Sequence, residues 1–163
     1  MYRYKLEGFV METDTINKDL VLSIMNRLEF FKNFSKEEKE NLVGFYQNIE
    51  VYQPGETIIK EGDRDDASFF ILLSGRASVT KGRQHKPIAA LEPGEFFGEI
   101  SFLTKTPRTA TITADIELIV IRVNETIIDR LTPSVREKIK DNIIAKLAER
   151  LCHMNAMMEK MSF

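Results

Sequence analysis

The chain is 163 residues long, about one domain with room for a helical extension, and its 43% apolar content is that of an ordinary globular protein. A formal net charge of -2 leaves no basic footprint for displacing counterions from phosphates, which argues against direct DNA or RNA binding. The start lacks a secretory apolar core, no apolar run reaches the ~20 residues that span a bilayer, and a lone Cys152 excludes an internal disulfide, so a reducing, cytoplasmic setting with no membrane contact is expected.

Residues 1–16 carry no clear period. Leu20, Val21, Ile24, Met25 and Leu28 then recur at helical spacing and predict an amphipathic helix ending near Phe30 and Phe31. Ser35 with Glu38 reads as a capping box, so a second helix is predicted from Lys36, carrying Leu42, Val43, Phe45 and Tyr46. From Asn48 the apolar period changes to that of strands. Turn signals at Pro54-Gly55, Glu61-Gly62-Asp63, Ser74-Gly75, Lys81-Gly82 and Pro93-Gly94 separate runs at Thr57–Ile59, Ser68–Leu73, Ala77–Thr80 and Ile88–Leu91. Ile49 and Val51 alternate with polar neighbours ahead of them, and Ala110–Ala114 and Ile116–Val123 follow. Short strands at that spacing predict an all-β sandwich or jelly-roll barrel. A short helix over Asn124–Leu131 comes next, and Ser134 with Glu137 reads as the capping box of a long final helix. Its seam of Val135, Ile139, Ile143, Leu147, Leu151, Met154, Met158 and Met161, flanked by Ile144 and Ala148, is too long for one small barrel to cover, which predicts a homodimer through this helix.

Between the strands, Phe96 to Ala110 collects a glycine, a carboxylate and an arginine in one turn-rich segment. Unpaired N–H groups after Gly98, at the start of a short helix, favour an anion there, and Arg108 adds a fixed positive charge. The segment therefore reads as a pocket for a phosphate and a sugar. The stretch from about Phe31 to Arg150 resembles the cyclic nucleotide-binding domain family. The likeness rests on Phe34-Ser35 with Glu38, on Tyr52 to Glu56, Glu61-Gly62-Asp63, Phe70 to Gly75 and Leu91 to Gly94. Above all it rests on Phe97-Gly98-Glu99 followed by Pro107-Arg108-Thr109-Ala110. It implies a mainly β protein with flanking helices: a helical extension over residues 1–33, a jelly-roll barrel over 34–133 and a lid and dimerisation helix over 134–163.

The chemistry of such a ligand, cAMP or cGMP, assigns each group a partner. Arg108 suits the phosphate, because its guanidinium stays charged and its fork matches two equatorial oxygens. Glu99 suits the ribose 2′-hydroxyl, since an ionised carboxylate only accepts. By resemblance, Gly98 lets the backbone approach the sugar, and N–H groups near Ile100, Ser101 and Thr109 cap the phosphate. A hydroxyl directly after the arginine often accompanies cGMP binding in the family, yet some members with this pattern prefer cAMP, so Thr109 leaves the base open between the two. The family often caps the purine with its last helix, and Lys146, Leu147 and Arg150 lie within reach along it.

The plainer alternative for Glu99 and Arg108 is a salt bridge with each other that holds a bend. Asp63 to Asp66 lack the glycine and terminal glutamate of a calcium loop, and neither His85 nor His153 has a second histidine nearby, so no metal and no cofactor are expected. Cys152 and His153 are helix neighbours that do not face each other, so no thiol–imidazole pair forms. A non-enzymatic sensor is therefore expected, one that binds cAMP or cGMP and signals to an unidentified protein partner by rearranging its final helix. The competing reading, a non-binding dimeric scaffold on the same fold, predicts no nucleotide-induced change in melting temperature.

Overall fold

A computed structural model describes residues 16–44 and 48–162. The Asn17 side chain accepts from the Asp19 N–H and starts α1 (Lys18–Met25). This helix is shorter than its apolar period predicts. The chain turns at Asn26 and continues as a 3-10 turn over Glu29–Phe31, which carries both rings into the core. There Phe30 meets Phe31 edge-on at 4.8 Å and Phe31 meets Phe34 at 5.5 Å between centroids. Burying these rings outweighs the helical hydrogen bonds that a straight continuation would have added. The predicted capping box then opens α2 (Lys36–Val43): Ser35 Oγ accepts from the Glu38 N–H at 3.1 Å, and the Glu38 carboxylate accepts from the Ser35 N–H at 2.8 Å. The predicted extension through Phe45 and Tyr46 lies outside the described residues.

Among the described residues eight strands follow: β1 (Ile49–Tyr52), β2 (Thr57–Ile59), β3 (Phe69–Ser74), β4 (Ala77–Lys81), β5 (Lys86–Leu91), β6 (Phe96–Phe97), β7 (Thr111–Ala114) and β8 (Leu118–Val123). They form two antiparallel four-stranded sheets, in the orders β1-β8-β3-β6 and β2-β7-β4-β5. The protein is mainly β with flanking helices, as expected. Its jelly roll is a two-sheet sandwich rather than a closed barrel, because the chain repeatedly switches sheets at its turns and no strand is shared between them. β8 begins later than expected, since Asp115 and Ile116 bend the chain and the Asp115 N–H donates to Arg76 O at 2.9 Å. β6, with 2 residues, is too short to show a period.

β3 explains why Phe69 to Leu73 is an unbroken apolar run. Phe69, Ile71 and Leu73 join the helices in one core, while Phe70 and Leu72 join the facing sheet in a second. A strand covered on both faces needs no polar alternation. α4 (Glu125–Arg130) is capped by Asn124, whose Oδ1 accepts from the Ile127 N–H at 2.9 Å.

The last helix, α5 (Pro133–Met161), starts two residues earlier than its expected cap implies: Thr132 is its cap, accepting from the Val135 N–H, and Pro133 fills the first turn where no N–H is needed. The Ser134 hydroxyl instead donates to Glu38 on α2. The apolar seam divides. Val135, Ile139 and Ile143 are buried against the domain, whereas Leu151, Met154, Met158 and Met161 are exposed. The first half of α5 docks; the second projects from the body.

Candidate functional site

The cassette begins where β6 ends. Gly98 takes φ +79° and the chain enters α3 (Glu99–Thr104). A Cβ on Gly98 would lie 2.8 Å from Arg108 Nη1, 2.9 Å from Ile59 Cδ1 and 3.0 Å from Ser68 O, so both the backbone angle and the crowding require glycine. The N–H groups of Glu99, Ile100 and Ser101 precede the bond from the Phe102 N–H to Gly98 O at 3.3 Å and, among the described residues, are the unpaired donors of the helix start. After α3, Lys105 turns left-handed and the chain runs back along the turn between β2 and β3. The Arg108 N–H donates to Asp63 O at 2.9 Å and the Gly62 N–H to Arg108 O at 2.8 Å. The Gly62-Asp63 turn thus sets where Arg108 sits.

Arg108 is only 5% exposed. Its Nη1 donates to Gly98 O at 3.0 Å and its Nη2 to Ser68 O at 2.6 Å, so carbonyls orient the guanidinium without neutralising it. Burial pushes its pKa down, with the carboxylates of Asp66 and Asp63 opposing. Asp66 Oδ2 stands 3.8 Å from Arg108 Nη2 but 3.0 Å from Arg122 Nη2. Asp66 Oδ1 accepts from the Ser68 N–H at 2.9 Å and the Ser68 hydroxyl at 2.6 Å. Arg122 Nε donates to Ser68 Oγ at 3.1 Å and Nη1 to Glu50 Oε1 at 3.2 Å, while the Tyr52 hydroxyl donates to Glu50 Oε2 at 2.6 Å.

Titration follows these contacts. Burial raises the Asp66 pKa, but the Ser68 hydrogen bonds and Arg122 outweigh it and hold the carboxyl below its ordinary range. Burial likewise lowers Arg122, and Glu50 with Asp66 reverse the sign. Tyr52 is pushed upward by burial and by Glu50.

Glu99 and Arg108 do not bridge each other, and each has partners of its own. The Glu99 side chain, 5% exposed, accepts from Arg150 Nη1 of α5 at 2.5 Å. Arg150 also donates to Phe96 O at 3.4 Å and lies 5.4 Å over the Phe96 ring. Of the three residues expected at the lid, Arg150 reaches the cassette; Lys146 pairs with Glu149 at 3.0 Å and Leu147 packs on the helix-side core. Ser101 is buried, whereas Ile100 and Thr109 stand exposed at the rim. Among the described residues no three His, Cys, Asp or Glu side chains converge as a metal site needs, and no helix is long and apolar enough to cross a membrane.

The residues that sequence reasoning missed are Ser68, Asp66, Arg122, Glu50 and Tyr52. A signal was present: Arg122 is the lone charge in β8 and Glu50 the lone charge in β1. A single charge inside each of two apolar strands calls for a buried partner.

A carbonyl-held arginine and a buried carboxylate thus share one glycine-entered loop of a jelly-roll sandwich. The cyclic nucleotide-binding domain model matches residues 49–133, more than half of the chain, and the chain belongs to that family. It is 38% identical over 93 residues to a cAMP-dependent protein kinase regulatory subunit of Yarrowia lipolytica, covering 57% of this chain and 24% of that protein. It is 32% identical over 123 residues to a cGMP-dependent protein kinase of Toxoplasma gondii, covering 76% of this chain and 12% of that protein. The chain thus spans a minor part of these relatives. Among solved structures, Sp-2Cl-cAMPS bound to PKAR CBD2 aligns with a TM-score of 0.65 at 26% identity over 86% of this chain and 90% of that one. The catabolite activator protein of Thermus thermophilus aligns with a TM-score of 0.70 at 26% identity over 82% and 63%.

Proposed function

We propose that this chain is a non-enzymatic regulatory sensor that binds a cyclic mononucleotide, cAMP or cGMP, and reports through α5. The observation that carries this reading is the state of Arg108, buried but held by the carbonyls of Gly98 and Ser68 rather than by a direct carboxylate bond. A fixed guanidinium with its nearest carboxylate among the described residues, Asp66, held off at 3.8 Å, beside free α3 amides, is what a singly charged phosphate requires. The N–H groups of Ile100, Ser101 and Thr109 complete that cradle. Glu99 takes the ribose 2′-hydroxyl on the carboxylate oxygen that Arg150 leaves open, and the absent side chain at Gly98 lets the sugar approach. The relatives carry both bases in their names, and the proposal assigns any bias between them to the Thr109 hydroxyl, which is exposed.

Coupling to α5 runs through Arg150. Because this helix residue shares Glu99 with the ribose, a nucleotide binds one position of α5 better than another, which is the only way a ligand shifts such an equilibrium. The projecting half of α5 supports a homodimer. Leu151, Met154, Met158 and Met161 follow one another at steps of three, four and three, the spacing of a two-helix seam, and from Leu151 onward the described residues are exposed. Signal output then passes to an unidentified protein partner that reads the geometry of this helix.

Calorimetric titration with cAMP and with cGMP tests the reading. The expected result is binding by the wild type and a loss of roughly 10–150-fold in Arg108→Ala, the equivalent of charge-assisted hydrogen bonds worth ~1.5–3 kcal/mol. Unaltered affinity in that variant refutes the site, and no binding or melting shift with either nucleotide leaves the scaffold reading. Sedimentation of wild type against Leu151→Glu tests the dimer, which a monomeric wild type would overturn.

A further inference from the structure

We propose that Arg122 is a positioning residue for nucleotide binding: by holding Asp66, it keeps Arg108 free for the phosphate. The inference rests on the cyclic nucleotide reading of the site and concerns a residue outside the cassette. Two guanidiniums flank the Asp66 carboxylate, and they hold it unequally, at 3.0 Å for Arg122 Nη2 and 3.8 Å for Arg108 Nη2. A shift of about one ångström would tighten the longer ion pair into a charge-assisted hydrogen bond, and a carboxylate seated there would compete directly with phosphate.

Arg122 prevents this by a double grip. Nη2 meets Asp66 itself, and Nε meets the Ser68 hydroxyl, which donates onward to Asp66 Oδ1. Arg122 is held from behind, since Glu50 accepts from its Nη1 and the Tyr52 hydroxyl satisfies the other Glu50 oxygen. The relay therefore runs from β1 through β8 to the entry of β3, where Ser68 O also orients Arg108. Without Arg122, a partly buried Asp66 requires another cation, and Arg108 is the one already beside it.

The test compares calorimetric affinities for cAMP and cGMP in wild type, Arg122→Gln, Asp66→Asn and the double variant. Arg122→Gln is expected to weaken binding at least tenfold, because Asp66 closes on Arg108. Asp66→Asn alone is expected to bind at least as tightly as wild type, and adding it to Arg122→Gln is expected to restore affinity to within about threefold of wild type. A residue that only supports the fold would not give this rescue. Wild-type affinity in folded Arg122→Gln, or a double variant as weak as Arg122→Gln, overturns the inference. If Arg122→Gln does not fold, the same comparison in a Glu50→Gln background removes the other carboxylate that loss of Arg122 strands, with the same expected and refuting results. Failure of the wild type to bind either nucleotide rejects the function itself, whereas loss of binding in Arg108→Ala with none in Arg122→Gln rejects this inference alone.

Discussion

Replacing Gly98 by alanine probes backbone and site at once. At φ +79° an L side chain costs ~1–2 kcal/mol in the left-handed region. The new Cβ would also stand 2.8 Å from Arg108 Nη1, 2.9 Å from Ile59 Cδ1 and 3.0 Å from Ser68 O. Ser68 O is backbone and cannot yield cheaply, so Arg108 moves and loses its bond to Gly98 O, a further ~1.5–3 kcal/mol for a hydrogen bond to a charged group. The sum is about 2.5–5 kcal/mol. Gly55 is the control: its φ is +87°, yet nothing lies within 4 Å of a Cβ there, so Gly55→Ala incurs only the backbone part. For a domain of this size each kcal/mol lowers Tm by roughly 2–4 °C. Urea denaturation of both variants, with nucleotide titration of each, separates the two parts. Gly98→Ala is expected to be the less stable and to lose binding, while Gly55→Ala keeps it. Equal stability of the two variants with intact binding in Gly98→Ala would refute the crowding argument.

Three further outcomes follow from the packing. Lys138, Ser134 and the Ser35 N–H, in that order, hold the Glu38 pKa down from 4.5 to about 2. The group therefore adds stability that is complete above pH 4.5 and is lost as pH falls toward 2. With solvent screening at this helix junction the gain is about 1–2 kcal/mol, and Glu38→Gln should flatten the urea-measured stability profile across that window; an unchanged slope counts against the pairing. Arg150→Met strands a nearly buried Glu99, and since Arg150 itself is 38% exposed the cost is expected at ~1–3 kcal/mol. Adding Glu99→Gln should recover part of it, and a double-mutant cycle with no coupling would disprove the contact. Ile139→Ala opens a hole under the docked half of α5 and should cost ~2–5 kcal/mol in chemical denaturation, while Met158→Ala on the exposed half should leave monomer stability within about 0.5 kcal/mol.

Local chemistry was legible in the residues. The Ser35–Glu38 capping box acts across three positions, and strand-length runs between glycine turns marked most of the sandwich. The ordered series around Gly98, Glu99 and Arg108 was enough to point to the family. Errors arose where a competing tertiary demand won. Phe30 and Phe31 left the helical period to fill the core, and Thr132 displaced Ser134 as a cap because Ser134 had a partner on α2.

What the sequence by itself determined is therefore the identity and order of the groups proposed to face the ligand, since those lie within one short segment and act through intrinsic chemistry: a permanent cation, an acceptor-only carboxylate and a residue without a side chain. Which polar and charged groups meet was decided by tertiary structure alone. Ser68 lies 40 positions from Arg108, Arg150 lies 51 from Glu99, and Arg122 lies 72 from Glu50. No periodicity encodes such pairings. They arise because strand order places β8 between β1 and β3 and because docking of α5 carries Arg150 over Phe96, leaving Arg108 without a direct carboxylate bond.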